Sequence, residues 1–449
     1  MLTYWKLHKF PILLVLTSIL FYYSFAFNLD RTDFIKLITL FAGAFFICYK
    51  IIQLEKWNFK FLLIAGILFR VVFLITVPNL SQDFYRFIWD GQLLANGINP
   101  YLLTPNTILE ENTILISNAQ ELYDGMGELS AKHYSNYPPL NQLIFTISAL
   151  IAGKSILGSI IVMRILVILA DIGIVFFGIK LLKSLNRPTH LIFWYFLNPL
   201  VIIELTGNLH FEGVMLFFFI WSIYLISQKQ WLFATILYAA SIATKLVPLL
   251  FLPLFLNYFG FKKSVLFYLV VGTTTLLFFL PFFSMEFVHN FSETVGLWFS
   301  NFEFNAGFYN IVKNISIANG AKNYEVIKIY GKIAALTTIS IVLIFTFFRN
   351  NEKLPTLITS MLLALSMYYF LSATVHPWYL SFLVLLSVFT TYRFAIVWSA
   401  TAILSYWAYS NPSFTENLYL LFIEYLVVYA FIIYEIFDLR KRKLRFHKN

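Results

Sequence analysis

The chain has 449 residues, of which 60% are hydrophobic, 20% aromatic and only 12% charged, with a mean hydropathy of +0.77. That composition excludes a soluble globular protein of this length and describes a polytopic membrane protein. The formal charge of +10 does not point to nucleic acid, because lysines and arginines stand at the ends of apolar runs and not in one basic stripe.

A membrane-crossing helix needs roughly 20 apolar residues. Lys6 and Lys9 precede the first such run, 10–27, which lacks a small-residue cleavage site and reads as a retained span. Further spans are predicted at 34–52, where the single cysteine, Cys48, sits as a packed residue, and at 61–78. A long polar loop follows from 79, and the apolar stretch 139–153 is too short to cross. It is read as a helix lying in the membrane interface, which extends the first external loop to residue 155. Spans at 156–182, 188–206 and 212–227 come next. The stretch 231–259 is interrupted by Lys245 and Pro248, so two short helices meeting near Lys245 are predicted there. A span at 264–283 leads into a second external loop, 284–327, before spans at 328–348, 354–373, 378–392, 394–410 and 418–437.

The expected fold is thus all-α, a single integral membrane domain over 1–449 with about 12–14 transmembrane helices, two external loops and an interfacial helix. Charge bias sets its orientation. With a cytoplasmic N-terminus, Lys50, Lys56, Lys60, Lys180, Lys183, Arg187, Lys229, Lys262, Lys263, Arg349, Lys353, Arg393 and the basic tail 440–448 fall inside. Both termini are then cytoplasmic in an inner (plasma) membrane. The two loops, with Asp83, Asp90, Glu110, Glu111, Glu121, Asp124, Glu128, Glu286, Glu293, Glu303 and Glu325, lie outside.

Polar chemistry concentrates where the chain leaves the membrane, above all in Ser81 to Pro105. On a helix, Asp83, Arg86 and Asp90 share one face. A carboxylate beside an arginine stays ionised, and it serves as a general base when the arginine is engaged elsewhere, for example by a phosphate. Tyr137 lies in the rigid turn NYPPL, His210 and Glu212 in NLHFEG, and His376 and Trp378 in HPWYL, all at expected outer ends. Lys245 is the most informative of these residues, because a lysine at membrane depth needs a cavity or a partner. Within the span 156–182, Arg164 and Asp171 are read as a structural ion pair. The seven histidines are dispersed, no metal motif is present, and a divalent cation is not indicated. Walker A and dinucleotide fingerprints are absent, so no cofactor is expected.

In order along the chain, SQDFYRFIWDG, GINPYLLTP, NYPPL, NLHFEG, KLVPLLFLP and HPWYL resemble the GT-C superfamily of polytopic glycosyltransferases, specifically bacterial polyprenyl-phosphate-sugar-dependent mannosyltransferases. The resemblance implies an enzyme that takes a sugar, commonly mannose, from a polyprenyl phosphate. It passes the sugar to a hydroxyl of a glycan or glycolipid acceptor on the outer face. It also implies that Asp83 acts as base or orients the acceptor. Related sequences often carry two adjacent acids here, whereas this chain has Gln82 before Asp83. Lys245, Arg86 and His376 are then expected at the donor phosphate, with Asp90, Tyr137, His210, Glu212 and Trp378 bordering substrate. A transporter or flippase for lipid-linked saccharides, and a ligase of whole oligosaccharides, are the alternatives. A transporter predicts a polar path to both faces and often an internal repeat, and neither is visible.

Overall fold

The computed structural model describes residues 2–111, 116–300 and 302–446; the end of the expected basic tail, 447–449, lies outside the described residues. The described chain is helical nearly throughout, with one isolated β-bridge between Phe304 and Thr374. Among the described residues, seven helices are long and apolar enough to cross a membrane: Tyr4–Asn28, Phe34–Glu55, Ile156–Ser184, Phe261–Phe282, Asn323–Phe348, Leu354–Leu371 and Leu418–Lys441. The protein is a multi-pass, all-α membrane protein.

Local sequence starts several of these helices. The side chain of Asp33 caps Phe34–Glu55 by accepting from the Lys36 N–H, and Ser155 caps Ile156–Ser184 by accepting from the Gly158 N–H. Half of the Ile156–Ser184 window and 61% of Leu354–Leu371 are buried inside the protein, against 17% for Phe261–Phe282 and Asn323–Phe348. The first pair is central; the second turns Leu, Ile and Phe side chains outward, where lipid tails solvate them as well as protein would.

Beside these seven full-length helices, or eight when one bent pair counts as a span, stand five shorter apolar helices among the described residues: Pro139–Ala152, Glu212–Ser227, Trp231–Thr244, Val247–Phe259 and Pro377–Val388. The bent pair, Thr189–Phe196 and Pro199–Gly207, replaces the straight span expected at 188–206 and turns by 51°. Pro199, lacking an N–H, ends the first piece, and Asn198 caps the next by accepting from the Leu200 N–H. The span expected at 61–78 is a 13-residue helix, Phe59–Val71. The two expected at 378–392 and 394–410 are short helices, Leu380–Val388 and Phe394–Thr401, the latter continued by a 3-10 stretch. Every residue of Leu380–Val388 is buried in protein. This segment is apolar because it is core, a cause of hydrophobicity that composition cannot separate from contact with lipid.

The break at Lys245 is present: Trp231–Thr244 ends there, Lys245 itself is extended, and a 3-10 helix resumes at Val247. The stretch 139–153 is a 14-residue helix, Pro139–Ala152, opened by Pro139 in its first turn. It lies against the helix Asp83–Ala95 so closely that a Cβ on Gly91 would sit 2.3 Å from the Phe145 carbonyl oxygen. Phe87 stacks on Phe145 at 4.6 Å across the same contact.

Two buried arginines join the central helices. Arg70 donates from Nε to Asp171 at 2.8 Å and from Nη1 to the carbonyls of Gly66 and Phe196. Asp171 also accepts from the Tyr195 hydroxyl. The ion pair expected between Arg164 and Asp171 is therefore not formed. Arg164 instead donates to the carbonyls of Leu74, Thr76, Thr206 and Gly207. The last two close a π-helical turn, Ile202–Gly207, whose carbonyl end favours a cation.

The two segments that the sequence reading places outside touch each other. Asn99 donates to the Phe282 carbonyl and Asn290 to that of Tyr101, whose ring lies among Phe282, Phe287 and Phe291. Phe304 exchanges backbone hydrogen bonds with Ala373 and Val375, at 3.0 and 2.8 Å. The segment 302–306 is thereby strapped to the extended run that leads into His376.

Candidate active site

Asp83 is the first residue of Asp83–Ala95, a position where the helix N-terminus favours a carboxylate. Gln82, just before it, donates to the Met126 carbonyl at 3.0 Å and fixes the helix start to the rest of the loop. The Asp83 carboxyl faces a cleft: its side chain is 40% exposed, and His210 Nε2 lies 3.8 Å away. Burial by the walls of that cleft raises its pKa above the ordinary carboxylate value; His210, Lys245 and Arg31 pull it down, and Glu212 adds to the rise.

His210 follows Leu209, a buried residue held at φ 61° in the left-handed region, a conformation that costs a non-glycine residue about 1–3 kcal/mol. The His210 N–H donates to the Glu204 carbonyl. Its ring stands between two carboxylates, Asp83 on one nitrogen and Glu204, 3.4 Å away, on the other. Neither nitrogen has a well-formed hydrogen bond. Glu204 is itself buried, accepting from the Tyr406 hydroxyl at 2.6 Å and the Asn208 amide at 3.1 Å.

A column of rings walls the cleft. His210 stacks on Trp378 at 3.9 Å, His376 stacks on Trp378 at 4.3 Å and 5°, and Phe304 stacks on His376 at 4.9 Å. Burial, followed by the charges of His210 and Lys245, pushes His376 down to about 3, so the ring is neutral at physiological pH. The unfolded chain takes up that proton near 6.5 and the folded ring only near 3. This contribution to stability is complete above about pH 6.5 and is lost as pH falls toward about 3. The loss amounts to about 2 kcal/mol by about pH 5. His376→Phe keeps a ring in the column and is expected to flatten the drop in melting temperature between about pH 7 and about pH 5. Equal drops in variant and wild type would contradict this.

Lys245, from the helix break, forms an ion pair with Glu212, the first residue of Glu212–Ser227, and lies 4.6 Å above the Tyr379 ring. Its side chain is 33% exposed, whereas Glu212 is buried. Tyr137 packs edge-on to Phe87 at 4.9 Å, near enough to Asp83 for that charge to reinforce the effect of burial on its phenol, which stays protonated.

Arg86 and Asp90 are placed differently. Arg86 donates to Asp90 at 2.7 Å and to the carbonyls of Ser130 and His133. Asp90 also accepts from Ser135 and Gln142. Both residues are buried, and the pair ties Asp83–Ala95 to the returning loop. Asp83, His210, Glu212, Lys245, His376, Trp378 and Tyr137 are thus brought together from five separated stretches, while Arg86 and Asp90 support them from behind.

Sequence reasoning passed over Arg31, Phe304, Tyr406 and Tyr409. The available signal for Arg31 was its position, a basic residue on the side that the charge bias leaves poor in them. The tyrosines carried none, since aromatic residues are common throughout this chain. Among the described residues, no group of three or more His, Cys, Asp or Glu side chains is arranged to hold a metal ion.

A family model described as alpha-(1->6)-mannopyranosyltransferase, N-terminal domain, matches residues 25–259, the stretch that supplies Arg31, Asp83, Tyr137, Glu204, His210, Glu212 and Lys245. Alpha-(1->6)-mannopyranosyltransferase A of Mycobacterium tuberculosis is 24% identical over 259 residues, covering 56% of this chain and 47% of that protein. Alpha-(1->6)-mannopyranosyltransferase B of Corynebacterium glutamicum is 28% identical over 149 residues, 32% of this chain and 23% of that protein. The chain thus spans about half or less of the length of these two relatives. No solved structure matches it. With more than half of its residues matched by the family model, the chain belongs to the alpha-(1->6)-mannopyranosyltransferase family.

Proposed function

We propose that the protein is a mannosyltransferase that moves a mannosyl unit from a polyprenyl-phosphate carrier to a hydroxyl of a glycan or glycolipid acceptor. The active site faces the outer side of an inner (plasma) membrane, and both termini are cytoplasmic. The observation that carries this reading is the Asp83 carboxyl, open to a cleft whose walls also hold His210 and Lys245. Family membership supports mannose as the sugar, and the distribution of lysine and arginine supports the orientation.

The acceptor oxygen attacks the anomeric carbon as the bond from that carbon to the phosphate oxygen breaks. The acceptor proton passes to Asp83, and the bonding electron pair leaves on the phosphate. A carboxylate with a raised pKa is a stronger base than an exposed one, which suits it to this step. His210 orients Asp83 from one side and is itself held by Glu204 and the Trp378 face. Lys245, without leaving Glu212, can donate another of its three N–H bonds to a phosphate oxygen, while His376, neutral, offers at most a hydrogen bond.

The test is transfer of radiolabelled mannose from polyprenyl-phosphate-mannose by the purified protein, with other polyprenyl-phosphate sugars alongside. Mannose transfer or slow donor hydrolysis supports the reading. Movement of lipid-linked sugar across reconstituted vesicles without turnover of any donor would replace it with the transporter. Lys245→Ala is expected to raise the donor KM about 10- to 100-fold, the range for losing a hydrogen bond to a charged group, with Lys245→Arg recovering part of it. An unchanged donor KM in Lys245→Ala would make the helix break a structural feature.

A further inference from the structure

Arg31 lies in the turn between Tyr4–Asn28 and Phe34–Glu55, with its guanidinium carbon 4.1 Å over the Tyr409 ring. Tyr409 borders Phe304 at 6.0 Å, and Phe304 begins the ring column that ends at His210 and Asp83. Arg31 therefore stands at the end of this run of rings away from His210, and its charge reaches the Asp83 carboxyl.

The commitments of the surrounding cations single it out. Lys245 is neutralised by Glu212, Arg70 by Asp171 and Arg86 by Asp90, and Arg164 is taken up by four carbonyls. Among the described residues, Arg31 has no carboxylate within 4.0 Å and no side-chain hydrogen bond; it lies on the face of Tyr409, with the exposed Asp30 carboxylate as a more distant charge. An anion that drew Lys245 away would leave the buried Glu212 carboxylate unpaired, which is costly. An anion that met Arg31 would displace only water. A guanidinium lying flat on a ring also keeps its N–H edges free, the geometry that binds phosphate oxygens in pairs.

We propose that Arg31, shelved on Tyr409, grips the phosphate of the lipid-phosphate donor and of the polyprenyl phosphate that leaves after transfer. The assignment rests on the function proposed above and deepens it. It makes Arg31 the source of the net positive charge at the phosphate, with Lys245 and Glu212 a near-neutral pair beside it.

The test is direct binding of polyprenyl phosphate, without sugar, to the full-length protein in nanodiscs, with inorganic phosphate and uncharged polyprenol as separate competitors. Arg31→Gln is expected to weaken binding about 10- to 100-fold. Arg31→Lys should restore part of the affinity, since the charge returns without the paired N–H edges. Tyr409→Leu should give an intermediate loss, because it leaves the charge and removes the shelf. Arg31 gives up no hydrogen bond or ion pair within the protein, so the melting temperature of Arg31→Gln should match wild type. Binding by Arg31→Gln within about twofold of wild type overturns the assignment, and so does competition by inorganic phosphate as strong as by polyprenyl phosphate. A wild type that binds no polyprenyl phosphate overturns the proposed donor, and Arg31 with it.

Discussion

Asp83→Asn is expected to lower mannosyl transfer by about 10²- to 10⁴-fold, the usual contribution of a positioned general base, while leaving the protein folded. The substitution preserves shape, and the imidazole nearest the carboxyl, His210 at 3.8 Å, is too distant for its loss to be structurally severe. The pH profile separates a base from a spectator. Burial raises the Asp83 pKa, so the wild-type rate should fall as pH drops through a value above the ordinary carboxylate range. The residual rate of the Asn variant should lack that acid limb. Wild-type turnover by Asp83→Asn, or an identical acid limb in both proteins, would remove Asp83 from the mechanism.

Asp171→Ala is expected to destabilise the protein by about 3–5 kcal/mol, the usual consequence of stripping a buried charge of its partner. Arg70 and Asp171 are both inaccessible, and the guanidinium left behind would keep only the Gly66 and Phe196 carbonyls. The pair joins Phe59–Val71, which leads toward Asp83, to Ile156–Ser184 and to the chain just before the Asn198–Pro199 break. Loss of activity should therefore accompany loss of stability. The double variant Arg70→Met, Asp171→Leu should recover most of the stability, because replacing both charges removes the desolvation penalty together with the attraction. Unfolding in detergent measures both; a single variant as stable as wild type would refute the account.

The membrane class and the grouping of the site were legible in the sequence for different reasons. Hydropathy reports apolar content, which is enough to identify a membrane protein but not to count its crossings. Leu380–Val388 reads as a span because it is apolar, yet all of it is enclosed by protein. Lys245 and the motifs around Asp83, His210 and His376 stood out because each placed polar residues beside an apolar run. Arg86 and Asp90 stood out equally and proved to be internal struts, since spacing on a helix shows that two side chains share a face but not whether that face is buried.

The partner of Asp171 illustrates the same limit. Arg164 lies seven residues before Asp171 on one helix, whereas Arg70 is 101 residues away and still supplies the hydrogen bond. Periodicity addresses contacts within a helix, and the pairing of helices depends on packing that no short segment encodes.

By itself, the sequence determined that this is a polytopic helical membrane protein, that Lys245 lies in a helix break, and that Asp83, His210 and His376 stand at the ends of apolar runs. These follow from composition and local chemistry, which are properties of neighbouring residues. Only the tertiary structure decided that Asp171 pairs with Arg70, that Trp378 carries both histidines on its ring faces, that Glu204 holds His210, and that Arg31 meets the cleft uncommitted. Each of these joins residues far apart in the chain, and such contacts are chosen by the close packing of whole helices and not by the residues beside them.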